Sequence, residues 1–429
     1  MAELKSTLTL RDLTYYVIGS VIGSGIFLVP GSVLTQVHGR IWIAFLAWIL
    51  GGVLSLLGAL TYGELTAQNP EAGGLYVFIR DCFGSFPAFL FGWALFFAIG
   101  AGASATLAVG FTNNLAQVIP LAPAVAKAIA IATIVVVAGV NVWGTRQGAE
   151  LTNWTTIIKI LVLLVMSAVF LVLGRNFTAP ESVTPGSGGF GLAMIAVLWA
   201  YEGWQYATFC AGETIDPQRN FPRAFLIGMA ALIGIYLVVN AAYLDALGPK
   251  AMAASTSAAA ASLAVLIGPG IARFIALAIA ISILGALNAT ILGAARVYYA
   301  MARDRVFFRK LAEVHPRFET PAFAIIAGAG WAIILALSGT FDQLYTYTIF
   351  TGWIFYGLSA ASIFVYRKKW PDRPRPYRVP GYPWTPLLFV LAAAALVANT
   401  VIAQPKTAII GLGIVLVGAP AYWIWRRRA

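Results

Sequence analysis

The chain has 429 residues, of which 60% are hydrophobic and 10% charged, with a mean hydropathy of +0.84 and a formal net charge of +12. An average soluble domain carries about 25% charged residues, so this chain has too few polar side chains to cover a water-facing surface. The basic balance would suggest a nucleic-acid partner if Lys and Arg formed a patch. They lie instead in short segments between apolar runs, which argues against a nucleic-acid binder as well as a soluble enzyme.

Apolar runs of about 20 residues, the length that crosses a bilayer core, recur from end to end. Continuous apolar segments of that length must be helical, because lipid offers no partner for open backbone groups. The predicted fold class is an all-α integral membrane protein with about twelve transmembrane helices. The predicted spans are 12–37, 40–66, 85–113, 121–142, 148–174, 190–212, 222–246, 270–300, 321–339, 343–366, 384–403 and 406–425. The segment 247–262 is too rich in small residues for a span and reads as an external loop with a short helix or two. The first apolar run starts after Arg11-Asp12 and is too long for a cleavable signal peptide.

The first span carries Gly19-Ser20-Val21-Ile22-Gly23-Ser24-Gly25-Ile26-Phe27. Two glycines flanking a serine weaken the helix near mid-membrane, although small residues also serve close helix packing. In the fifth span lies Lys159 and in the sixth Glu202. Each is about 11 residues from its span end, roughly 16 Å at 1.5 Å per residue, and so close to the midplane. An ionisable group there is costly and marks a functional candidate, with a structural ion pair or polar anchor as the other reading. Glu64, Glu213 and Asp245 fall near span boundaries, where water or headgroups are expected to reach them. The sixth span has its own interruption, Trp199-Ala200-Tyr201-Glu202-Gly203-Trp204. Interrupted spans in corresponding places of two halves point to a transporter's binding site.

Such a break suits a zwitterion. Freed N–H groups at a helix start attract an anion, and unpaired carbonyls attract a cation. A free amino acid carries a carboxylate and an ammonium two bonds apart, so backbone alone can meet both. Cys82 lies just before a span and Cys210 within one, so they are not expected to pair. His38 and His315 lie in separate loops, and no metal site or cofactor is expected. The segment 367–384, RKKWPDRPRPYRVPGYPW, reads as a proline-stiffened linker touching anionic headgroups.

An even number of spans puts both termini on one side. With the N-terminus inside, 21 of the 28 Lys and Arg fall in inner segments and 6 in outer ones, Lys159 being the remainder. That bias places both termini in the cytoplasm, the chain being multi-pass in the plasma (inner) membrane.

Ile22 to Phe27, the interrupted sixth span and the run Gly212-Glu213-Thr214-Ile215-Asp216-Pro217-Gln218-Arg219-Asn220-Phe221-Pro222-Arg223-Ala224 resemble the amino acid–polyamine–organocation superfamily. Within it, the chain is most similar to the L-type amino acid transporters and their prokaryotic relatives, over nearly its full length. The resemblance implies a LeuT-like fold in a single domain. Two inverted five-helix repeats (12–174 and 190–366) would make its core, helices 1 and 6 would be discontinuous, and 384–425 would be peripheral. It implies a substrate site of Val21, Ile22, Gly23, Ser24, Gly25, Trp199, Ala200, Glu202 and Gly203. Ser24 and Gly25 N–H groups would meet the substrate carboxylate, carbonyls of Val21, Trp199 and Glu202 its ammonium, and Trp199 would gate it. Lys159 would stand where sodium-driven relatives hold a sodium ion, with Ser282 facing it and Tyr236 nearby.

The function implied is sodium-independent exchange of neutral L-amino acids by alternating access. Proton-coupled symport, with Lys159 giving up and regaining its proton, and a membrane sensor without transport are the alternatives. Many relatives have a small residue where Glu202 stands; here its carboxylate would bias the pocket towards cationic or small polar substrates, or face water or a packing partner. Animal light subunits use an outer-loop cysteine to bond a heavy subunit, and Asn113 to Pro123 has none, so no disulfide-linked partner is expected.

Overall fold

The computed structural model describes residues 4–174, 189–338 and 341–426. Arg175, Arg427 and Arg428 lie outside them, as does residue 339 at the predicted end of the ninth span. The first span is two helices, α1 (Leu10–Val21) and α2 (Gly25–Gln36), bent by 48°. α3 (Ile41–Gln68) is followed by a short connecting helix, α4 (Leu75–Phe83). α5 (Ser85–Ala94), a π-helical turn (Leu95–Ile99) and α6 (Gly100–Val118) run on as one segment, and α7 (Pro123–Trp143) and α8 (Thr145–Leu173) follow. The sixth span is α9 (Phe190–Ala200) and then a 3-10 helix, Trp204–Glu213. α10 (Pro217–Ala254) breaks at Gly248, whose φ is +72°, and α11 (Ala258–Leu266) follows, so short helices fill the segment predicted as a loop with a helix or two. α12 (Ala272–Arg303), α13 (Ala322–Ser338), α14 (Phe341–Lys369), α15 (Trp384–Ala403) and α16 (Pro405–Arg426) complete the bundle.

Among the described residues, eight helices are long and apolar enough to cross a membrane, and the bent pair α1–α2 makes a ninth; α13 is apolar but shorter. α12 is the axis of the bundle: 83% of its most apolar window is buried, against 22% for α15 at the edge. Side chains such as Trp42, Val172 and Ile402 stand almost fully exposed on the outside. In water such a surface would aggregate; against lipid tails it is the expected one.

At the end of the bundle holding the N-terminus, side chains and backbone tie the helices together. Thr7 and Leu8 N–H groups donate to the Glu213 carbonyl at 2.8 and 2.9 Å, and Ile215 N–H returns a bond to the Leu8 carbonyl at 2.8 Å. Thr9 caps α1 in a capping box with Asp12, whose carboxylate also takes Arg146 at 2.9 Å and Asn153 at 2.7 Å. Both partners come from α8, so the start of the first span is fixed before its break is reached.

The expectation that Glu64 and Glu213 meet water is corrected by the structure. Both are fully buried. Arg296 donates to Glu213 at 2.6 and 2.9 Å and to Thr145 at 2.8 Å, and Thr145 donates to Glu213 at 2.6 Å. Glu64 accepts from Arg367 at 2.6 and 2.9 Å and from Val379 N–H at 2.6 Å. A bidentate guanidinium replaces water on each carboxylate, which makes burial tolerable. Arg296, which the sequence places among the inner basic residues, is itself fully buried in α12.

Candidate functional site

The first break begins where Ile22 leaves the helix (ψ 89°) and ends at Ser24, which starts α2 without a side-chain cap. The first N–H groups of α2 therefore keep the free donors that every helix start carries. The second break runs from Tyr201 to Gly203. Gly203 has φ +127°, a region L side chains rarely adopt. A Cβ there would lie 2.4 Å from the Ser20 carbonyl oxygen, so only glycine lets the two breaks approach. On the other side, a Cβ on Gly25 would be 3.1 Å from the Cα and Cβ of Ala200. The interruptions read from sequence are thus real, and they touch.

Side chains from three other helices meet the carbonyls freed at the first break. Lys159 Nζ, from α8, donates to the carbonyls of Gly19 at 2.6 Å and Ile22 at 2.8 Å. Ser282, from α12, shares its hydroxyl proton between Ile22 at 2.9 Å and Gly23 at 3.1 Å. Tyr236, from α10, shares its proton between Ala200 at 2.9 Å and Val21 at 3.3 Å, and so staples one break to the other. All three side chains are buried. An ammonium on carbonyl dipoles makes charge-assisted bonds, about twice as strong as neutral ones, and it does so where helix α1 leaves its negative end unpaired.

A cavity opens beside the breaks. Val21, Gly23, Ser24, Gly25, Trp199, Ala200, Glu202 and Gly203 line it, which brings together every substrate-site residue read from sequence except Ile22. Ile22 is fully buried and turns its carbonyl to Lys159 and Ser282. Of the carbonyls assigned to an ammonium, Val21 already accepts from Gly23 N–H and Tyr236, and Trp199 accepts from Glu202 N–H at 3.0 Å. Glu202 Oε1 accepts from the Tyr356 hydroxyl at 3.0 Å, while its Oε2 is enclosed with no partner among the described residues. The packing partner for Glu202 is therefore Tyr356 of α14.

Besides Ser20 of the first break's motif, the remaining wall was not read from sequence: Ala103, Thr106 and Leu107 of α6, Tyr206, and Ile283, Ala286 and Thr290 of α12. The α12 residues recur at intervals of three and four, one face of a helix, and that period was the available signal. The α6 residues follow the π-turn, whose i→i+5 bonding shifts the register of the helix after it and sits often at functional sites. Nothing in an apolar run marks such a turn.

With the geometry in place, comparison with known proteins gives a consistent picture. The Amino acid permease family matches residues 8–419. The chain is 33% identical to the serine/threonine exchanger SteT of Bacillus subtilis, over 99% of this chain and 98% of that one. It is 29% identical to the human cystine/glutamate transporter, over 99% of this chain and 86% of the relative. It is also 29% identical to the large neutral amino acids transporter small subunit 2 of Rattus norvegicus, over 98% and 81%. The chain belongs to the amino acid permease family of the amino acid–polyamine–organocation superfamily, and is a multi-pass membrane protein.

Proposed function

We propose that the protein is a sodium-independent exchanger of neutral L-amino acids, working by alternating access around the two breaks. The observation that carries this reading is the Lys159 ammonium seated on the Gly19 and Ile22 carbonyls. It puts a cationic group of the protein's own where a coupling metal ion would otherwise hold the same dipoles. In this reading, the N–H groups of Ser24 and Gly25 take the substrate carboxylate. The carbonyls of Val21, Trp199 and Glu202, with Tyr236 beside them, form the ammonium end, and Trp199 closes over the ligand. Residues 12–174 and 190–366 act as the two inverted repeats, with 384–425 peripheral. Both termini lie in the cytoplasm of a cell whose plasma (inner) membrane holds the protein, and the chain works without a disulfide-linked heavy subunit. Among relatives, the name serine/threonine exchanger supports exchange and a small polar substrate.

Purified protein in liposomes tests this. Uptake of labelled L-alanine is expected only when the lumen holds an amino acid, and is expected to be equal in sodium and choline buffers. Uptake into amino-acid-free liposomes driven by an imposed proton gradient would overturn exchange in favour of proton symport, the reading favoured by a Lys159 that titrates. Binding of alanine without flux in either direction would make the protein a sensor.

A further inference from the structure

Glu202 enters the cavity from the second break, and its side chain has no part in holding an α-carboxylate or α-ammonium. Tyr356 donates to Oε1 at 3.0 Å and so fixes how the carboxylate is turned. Among the described residues, its Oε2 is enclosed without a donor. Thr106 Oγ1, on another wall of the same cavity, is enclosed and unpartnered as well. Gln205, whose side-chain oxygen accepts Gly203 N–H at 3.1 Å, has its amide beside the Tyr356 hydroxyl. The neighbouring wall, Ala103, Leu107, Ile283 and Ala286, is aliphatic. A side chain entering this cavity therefore meets aliphatic surface, the hydroxyl-bearing Ser20, Thr106, Tyr206 and Thr290, and one carboxylate, Glu202. Enclosed polar atoms are normally hydrogen-bonded, and leaving a carboxylate oxygen unmet is costly.

We propose that Glu202 is the specificity-determining residue of the site: its Oε2 receives a hydrogen-bond donor carried on the substrate's side chain, a hydroxyl or an ammonium. The protein then carries donor-bearing amino acids in preference to aliphatic ones of the same size. This rests on the amino acid exchange reading above and adds the side-chain class: a hydroxyl keeps the substrate neutral, and an ammonium extends the range to cationic amino acids. The physical reason is asymmetric. A hydroxyl fulfils Oε2, while a methyl of equal volume excludes water from it and leaves it unpaired, and sites built this way reject the isostere strongly.

The test is competition against exchange of labelled L-alanine, a probe with no side-chain donor. L-Threonine and L-valine have the same shape, and in the wild type threonine is expected to compete about tenfold better or more, the range of a bond to a charged acceptor. In Glu202→Ala the ratio is expected to fall to about one. Glu202→Gln keeps an acceptor but no charge: threonine retains part of its advantage, whereas any advantage of L-ornithine over L-norvaline is lost. Those two arms separate hydroxyl from ammonium. Equal competition by threonine and valine in the wild type, which needs no variant to fold, overturns the proposal. So does a ratio that survives in Glu202→Ala. Absence of alanine exchange in the wild type is a different failure; it removes the exchange reading and this proposal with it.

Discussion

Between α1 and α2 the freed carbonyls of Gly19, Ile22 and Gly23 are filled by an ammonium from α8 and a hydroxyl from α12. The break after α9 is held differently. Its close approach depends on a missing side chain at Gly203, and its continuation is pinned at the far end, where Glu213 meets Arg296. Charge holds the first break at the break itself, and the second is held there by shape and the neutral Tyr236 hydroxyl, and by charge about ten residues downstream. The difference leaves the second break with an unmet acceptor, Glu202 Oε2, where the first has met most of its own. One break is braced and the other is available to read a ligand.

The largest expected effect comes from the downstream anchor. Arg296→Ala removes the partner of a carboxylate with no exposure to water. Breaking a buried pair from one side costs about 3–5 kcal/mol, because the other charge stays buried and unpaired. The expected result is a sharp loss of monodisperse protein in detergent, with the apolar pair Arg296→Met with Glu213→Leu recovering much of it. Full yield of Arg296→Ala would mean that the second break does not depend on this anchor.

The brace on the first break should show the opposite pattern. Lys159 meets carbonyls rather than a carboxylate, so Lys159→Met removes a buried charge without orphaning another. Stability is expected to hold or rise by thermal melting. Exchange is expected to drop about 10- to 100-fold, equivalent to about 1.5–3 kcal/mol, the range of one hydrogen bond to a charged group. Unchanged exchange would take Lys159 out of the mechanism; a collapse in melting temperature would make it a structural anchor.

The contrast also marks what could be read from the chain. Breaks signal themselves locally, through Gly23, Gly25 and Gly203, and a lone Lys159 in an apolar run is conspicuous at its depth. Glu213 and Arg296 are 83 residues apart, and each stands near a span end, where a solvated charge is the ordinary expectation. Their burial follows from how the 3-10 helix packs on α12, a tertiary fact with no local mark. The turn at Leu95–Ile99 is hidden for a related reason: a π-turn in apolar sequence alters register without altering composition. Glu202 was visible as an oddity, but which of its oxygens is taken depends on Tyr356, 154 positions away.

The smallest effect sharpens the idea that the first break is braced as a unit. Ser282 and Lys159 both donate to the Ile22 carbonyl, at 2.9 and 2.8 Å. Ser282→Ala alone leaves that carbonyl with its ammonium and is expected to cost about 1 kcal/mol, a few-fold in exchange rate. In the Lys159→Met background the same change leaves Ile22 with neither donor, so its cost should grow. A double-mutant cycle on exchange rate should then show coupling of about 0.5–3 kcal/mol, the range for groups sharing one partner. Additivity within about 0.5 kcal/mol would mean that the two donors act on transport separately, Ser282 through its bond to Gly23 and Lys159 through Gly19. The brace would then be two independent contacts, and the contrast with the second break would rest on Lys159 alone.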